Sequence, residues 1–488
     1  MGSDSTPPGV GEVRRVGLAL SGGGYRAAAF HLGVLDALHT LGLLDAVRVL
    51  STVSGGSIVG AAWVRARARD ERFERFRDAM LDWLAETDVL REAAEGLARG
   101  DDPRAPSLIR EAARAYARSP LIGEVRLGEL RGSGLEDLIV NATEFSTGNG
   151  FRLGWTRSKR AVDGNRNVPV PDEEMARVRL ADAVAASSCF PGVFEPMRWP
   201  DDFVDVEASS TTSLMDGGVF DNQGIYAMDL AATRHARDGQ ALDLVLISDV
   251  HQGSERLLDT PPQPDAARAP AVGLVLVAAL AALVATPVAA AVAAAQSGGS
   301  VATVWLLAVS LLPLAAAVTG AWFGLRALRD QPGARWDLAR PLLDLSAPDL
   351  IRALSLRVAS GVAILASVFM KRVRDQQYAL LRERLGEQVP CVRVSIDDHA
   401  KWGDDVSLSL RETCARASET PTTLWADRAQ LADLLAAGRA QASRALAADR
   451  LSHSSPNPLR DKALSLWISL RDAPSEAPRA PGHPGDAS

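Results

Sequence analysis

Apolar positions along the chain alternate between short continuous runs and longer helical stripes. Residues 15–20 form an apolar run with no helical stripe that leads straight into Ser21-Gly22-Gly23-Gly24, so a strand entering a glycine turn is expected there. A helical pattern follows over 25–43, closed by Gly42. A second strand is expected near 47–52, ending at Val53-Ser54-Gly55-Gly56, and a helix over 58–69 carries the chain away. From 73 to about 115 the pattern is helical and amphipathic, interrupted at Gly100-Asp101-Asp102-Pro103, and reads as a helical cap or insertion. Further strands are expected at 137–145 and 242–248, with Leu214 and Met215 leading into Asp216-Gly217-Gly218. Residues 390–396 alternate like a late strand, and 347–385 and 424–446 read as helical. This order predicts an α/β layered fold with a largely parallel sheet, in which glycine loops at strand ends are where ligands sit.

One stretch breaks the pattern. Between Arg268 and Arg326 there is no charged residue, and the segment divides at Gln296-Ser297-Gly298-Gly299-Ser300 into two apolar runs, 271–295 and 301–325. Each exceeds the roughly 20 residues needed to cross a bilayer core of about 30 Å, so a transmembrane helical hairpin is expected over 268–326. Pro287 and Pro313 inside the runs are tolerated in membrane helices. Arginines flank both outer ends (Arg256, Arg268, Arg326, Arg329, Arg335) while the connecting loop is uncharged, which places both flanks in the cytoplasm. The later apolar stretch 358–370 is too short to span and reads as a buried or interfacial helix.

Composition changes little else. With 488 residues, 47% hydrophobic and 23% charged, the chain can bury a large core, and a net charge of -7 gives no reason to expect nucleic acid as a partner. Three scattered cysteines, Cys189, Cys391 and Cys414, exclude a disulfide framework and a paired-ligand zinc site. No cofactor or metal is expected. The N-terminus lacks the pattern of a signal peptide and residues 1–13 read as a disordered leader, although Gly2 with Thr6 meets the loose myristoylation pattern. Residues 473–488, rich in Pro, Gly and Ser, read as a disordered tail.

Three segments can carry chemistry. Ser54 lies where a strand turns sharply into a helix among small residues, the setting of a nucleophile elbow, although Thr52 stands where G-x-S-x-G has glycine; a helix N-cap is the alternative. The consecutive glycines Gly22, Gly23 and Gly24, followed by Arg26, can offer backbone N–H groups to an oxyanion or to a phosphate, but neither a P-loop nor G-x-G-x-x-G spacing is present. Asp216, followed by two glycines, can accept a proton at a strand end. His251 after the strand at 242–248 leaves a Ser-acid-His order open beside a Ser-Asp pair.

Taken together, the glycine loop through Arg26, the elbow at Ser54, the segment Ala186-Ser187-Ser188-Cys189-Phe190-Pro191-Gly192-Val193-Phe194, and Asp216-Gly217-Gly218 with Asn222 follow the order of the patatin-like phospholipases, which this chain resembles over about 14–250 and loosely over 367–446. The resemblance implies a three-layer α/β/α fold, a Ser54–Asp216 dyad without histidine, an oxyanion hole of Gly22, Gly23, Gly24 and Arg26, and cleavage of acyl esters of phospholipid or another acyl lipid. Thr52 and Ala27 replace glycines usual in that family. The domains expected are a catalytic domain over 14–255, the hairpin over 268–326, and a C-terminal continuation of the catalytic domain over 330–450. The Ala- and Arg-rich composition suggests a bacterial protein, so the expected setting is the bacterial inner membrane with the catalytic domain in the cytoplasm. A catalytically silent lipid-sensing protein on the same fold is the alternative.

Overall fold

The computed structural model describes residues 13–100, 104, 106–158, 163–208, 210–251, 370–386, 389–403, 405–448 and 458–472, and six single positions between 281 and 296. The chain divides into two compact units, one of residues 1–255 with 370–488 and one of 256–369. Among the described residues, the first unit carries a ten-stranded sheet. Its strands are β1 (Val16–Leu20), β2 (Val47–Val53), β3 (Asp137–Glu144), β4 (Gly150–Trp155), β5 (Asp163–Gly164), β6 (Pro169–Val170), β7 (Met197–Trp199), β8 (Thr212–Asp216), β9 (Leu244–Asp249) and β10 (Cys391–Ser395). The order is β10-β9-β1-β2-β3-β4-β5-β6, with β8 on β3 and β7 on β8. The five strands β10, β9, β1, β2 and β3 run parallel, and the antiparallel strands gather on the β3 side.

Alternation along the central strands assigns the two faces. Leu18, Leu20, Leu50 and Leu246 point into the larger core, while Ala19, Val49, Val245 and Ile247 point into the smaller one. The larger core is covered by α1 (Gly24–Thr40), α2 (Gly55–Ala68) and the late helix α12 (Arg428–Ala447), the smaller by α9 (Ile225–Arg237) and α10 (Met370–Leu385). This is the expected three-layer arrangement. The helices α1 and α12 touch backbone to backbone: a Cβ added at Gly33 would lie 2.0 Å from the Leu435 carbonyl oxygen, and one at Gly438 2.0 Å from that of Phe30.

The helical region after 73 is α3 (Phe73–Glu86), α4 (Val89–Arg99) and α5 (Leu108–Arg118), and Gly100 closes α4 in the left-handed conformation. These helices share the main core: Phe76, Met80, Ile109 and Tyr116 are buried with α1, and the Trp83 and Tyr25 rings lie 5.9 Å apart. The remaining helices among the described residues are α6 (Asp172–Arg177), α7 (Leu180–Ser187), the single turn α8 (Gly218–Asp221), α11 (Leu408–Glu419) and α13 (Pro458–Arg471). Among the described residues, no helix is long and apolar enough to cross a membrane. Apart from the six single positions, the hairpin expected over 268–326 lies outside the described residues, as do residues 347–369 of the helical segment expected over 347–385, residues 1–12 of the leader expected over 1–13, and the tail at 473–488.

Candidate active site

Sheet register brings Ser54 and Asp216 together. Strand β2 pairs with β3 up to Val53, opposite Asn141, and then turns away at Ser54. From the next residue, Ala142, the same edge of β3 is taken by β8 running the other way, with Asp216 opposite Ala142. The two strands meet end to end in one lane of the sheet, so the residue that leaves it and the residue that enters it become neighbours.

Ser54 has φ 49° and ψ -117°, a left-handed conformation in a residue with a side chain, held where β2 passes into α2. Its N–H donates to Ser187 Oγ at 2.9 Å, and the Ser187 hydroxyl donates to the Asn141 carbonyl at 2.6 Å. Ser187 ends α7 and its own carbonyl accepts the Gly217 N–H at 3.3 Å, so one serine supports both halves of the pair. Thr52 is accommodated by a second glycine. A Cβ at Gly60 of α2 would lie 2.6 Å from the Thr52 methyl, and Ser57 donates to the Thr52 hydroxyl at 3.0 Å. The room that a glycine at 52 would leave is supplied from the facing helix instead.

Asp216 is fixed through its backbone, with its N–H on the Cys189 carbonyl at 3.0 Å and its carbonyl accepting from Thr143 Oγ1 at 2.8 Å. Burial pushes its carboxyl up to about 6, although the Gly218 N–H, at 2.7 Å from Oδ1, and hydrogen-bonding contact with the Ser54 hydroxyl both favour the charge. Ser54 and Asp216 are both buried, 9% and 4% exposed, and neither has a histidine partner among the described residues. His251 instead follows β9, two strands from β2, and its N–H donates to Asp249 Oδ1 at 3.1 Å.

The glycine loop lies directly on the elbow: a Cβ at Gly55 would be 2.1 Å from the Gly24 carbonyl oxygen. The Gly22 N–H is taken by the Asn222 carbonyl at 2.9 Å, and the Tyr25 N–H by the Thr423 carbonyl at 2.8 Å. The N–H groups of Gly23 and Gly24, at φ 143° and 57°, have no protein acceptor among the described residues. Arg26 points elsewhere, donating to the Thr420 carbonyl at 3.2 Å just past α11. Of the four residues expected to hold an oxyanion, Gly23 and Gly24 therefore have N–H groups to offer, Gly22 anchors the loop, and Arg26 ties it to residues 420–423. Beneath the loop, His31 is wholly buried, 2.9 Å from the Ser21 carbonyl through Nε2 and 2.7 Å from Ser248 Oγ through Nδ1. Burial lowers its imidazole to about 4, so it is neutral at physiological pH.

Sequence reasoning did not single out Ser187, His31 or Gly60 for a role here, nor Thr420 and Thr423. Ser187 and Asn222 lay within motifs already noted; for the 420–423 connector the sequence carries no local signal, because its partners are some 400 positions away.

Residues 18–229 match the family model described as Patatin-like phospholipase. No curated protein matches the chain. Among solved structures it is similar to VipD from Legionella pneumophila, at 15% identity and a TM-score of 0.29 over 50% of this chain and 51% of that one. It is also similar to human GIVD cytosolic phospholipase A2, at 17% identity and a TM-score of 0.32 over 49% and 43%. The match spans about half the length of either protein. The serine elbow, the buried aspartate and the glycine loop all fall within residues 18–229, the part of the chain that is similar to the patatin-like phospholipases.

Proposed function

We propose that the protein hydrolyses acyl esters of membrane lipids, phospholipid first among them, with Ser54 as nucleophile and Asp216 as its base. The observation that carries this reading is the contact of the Ser54 hydroxyl with the buried Asp216 carboxylate beside two N–H groups, of Gly23 and Gly24, that have no protein acceptor. Ser54 Oγ attacks the ester carbonyl carbon as its proton passes to Asp216, and the carbonyl π electrons move onto oxygen, which accepts hydrogen bonds from the Gly23 and Gly24 N–H groups. Collapse expels the alcohol, which takes the proton from Asp216 and leaves an acyl-Ser54. Water then repeats the sequence, giving its proton to Asp216 as it attacks, and releases the fatty acid. A base at about 6 is ionised at neutral pH yet remains a better proton acceptor than an ordinary carboxylate.

The uncharged stretch 268–326 supports a second part of the reading: a transmembrane hairpin that tethers the catalytic unit to the cytoplasmic face of a bacterial inner membrane, where lipid reaches the site at high effective concentration. Fatty acid release from liposomes of defined composition, compared for wild type, Ser54→Ala and Asp216→Ala, tests the chemistry. Release by the wild type alone is the expected result; equal release by all three overturns the assignment. Extraction of membranes at alkaline pH tests the tether, which is rejected if the protein leaves the bilayer.

A further inference from the structure

Asn222 stands between the two loops that hold the proposed reaction centre. Its backbone carbonyl accepts the Gly22 N–H at 2.9 Å, joining the end of α8 to the glycine loop. Its side chain fills the gap between the same two segments: Asn222 Oδ1 lies 2.3 Å from where a Cβ on Gly22 would stand and 2.5 Å from where one on Gly218 would stand. Those two positions are in turn 3.1 Å from Ser54 Cβ and 3.0 Å from Asp216 Oδ1, so the carboxamide is a near neighbour of both. It makes no side-chain hydrogen bond to protein among the described residues, which leaves contact with the two glycines as what it does there.

The residues on either side of Asn222 are firmly held. Asp221 accepts the N–H groups of Gln223 at 3.0 Å and Tyr226 at 2.7 Å, and the Gln223 side chain donates to Asp249 Oδ2 at 2.6 Å. Asp249 itself is clamped by Arg393 at 2.7 Å. Through this chain of contacts, α8 acts as a strut of fixed length rather than a free loop tip.

We propose that Asn222 is a positioning residue: its carbonyl anchors Gly22 and its carboxamide wedges Gly22 apart from Gly218, setting the distance between the oxyanion donors and the Ser54–Asp216 pair. The inference rests on the reading of Ser54 and Asp216 given above. It also accounts for the glycine at 22 and the glycine at 218, since either Cβ would occupy the space of the wedge.

The test uses the full-length protein and a chromogenic short-chain ester. Asn222→Ala is expected to lower kcat by roughly tenfold to a hundredfold with KM within about threefold of wild type and thermal unfolding little changed, as befits a misplaced rather than a missing group. Asn222→Asp keeps the shape and adds a charge beside Asp216, so the acid limb of the pH–rate profile should move upward by about one unit. The titratable groups that face Asp216 are Tyr116 of α5, pushed up to about 12 by burial, and Cys189, also pushed up by burial; both stay neutral across the assay range and leave the shift assignable to residue 222. Wild-type kcat in Asn222→Ala, or an unmoved acid limb in Asn222→Asp, overturns the proposal. Should an alanine variant fold poorly, Gly22→Ala made alone and together with Asn222→Ala still decides. The wedge predicts that Gly22→Ala is far less harmful when residue 222 is already alanine, and equal harm in both backgrounds rejects it. Activity remaining in Ser54→Ala would instead remove the reading beneath.

Discussion

At the scale of single residues, Asp216 carries opposing demands. Its pKa of about 6 exceeds the unfolded value, so folding favours the protonated form. That contribution is fully present below about pH 4 and is lost as pH rises through 6, leaving the ionised carboxylate that the proposed mechanism needs at a cost of about 3 kcal/mol. Two outcomes are expected. The acid limb of kcat/KM should fall tenfold per unit below about pH 6. Asp216→Asn should abolish ester hydrolysis while raising the thermal midpoint by a few degrees, as expected where function maintains an unfavourable buried charge; calorimetry beside an esterase assay reads both, and a destabilised Asp216→Asn protein would show that the burial cost is misassigned. The pairing of Thr52 with Gly60 gives a separate expectation. Gly60→Ala should destabilise by about 1–3 kcal/mol because its Cβ meets the Thr52 methyl, and Thr52→Gly in the same chain should recover most of that loss in denaturant unfolding.

Between elements, the glycine loop is held from below by His31, which links α1, the end of β1 at Ser21 and the end of β9 at Ser248. The folded imidazole, at about 4, lies beneath its unfolded value of about 6.5, so this tie is fully present above pH 6.5 and weakens as pH falls toward 4. Between pH 7 and pH 5 the group should remove about 2 kcal/mol, and His31→Gln should flatten the pH dependence of urea unfolding by that amount. An unchanged slope would mean the loop tolerates a charged imidazole. These ties also mark where legibility ended. Strands β1, β2, β3 and β9, and the turns at Gly22, Ser54 and Asp216, were readable because apolar runs ending in glycine or serine have a local cause. That β8 continues the lane of β2 was not, since it depends on β3 outlasting β2 by three residues, which no pattern within either strand encodes. The antiparallel strands β4 to β7 are short or polar enough to leave no periodic trace.

For the whole molecule, the family match and the folding unit have different extents. Residues 18–229 contain both proposed catalytic groups, yet β9 pairs with β1 along its full length, β10 extends that sheet, and α12 covers α1. A fragment ending at 229 would expose those apolar surfaces and should be insoluble. The unit that closes its core is instead 1–255 with 370–488, interrupted by 256–369. Described residues on either side of the interruption are neighbours: Arg374, four residues into α10, is buried close to Asp249, two residues before His251, and together with Arg393 it holds that buried carboxylate at about 2 against the upward push of burial. A short Gly-Ser linker joining 255 to 370 should therefore span the gap without strain. The excised protein is expected to be soluble, to unfold cooperatively, and to hydrolyse a soluble short-chain ester within a few fold of the intact chain. Its sedimentation with phospholipid vesicles should fall sharply, because the apolar runs of 268–326 are gone. Inactive, aggregated protein would show that 256–369 completes the catalytic core, and undiminished vesicle binding would show that another surface holds the membrane.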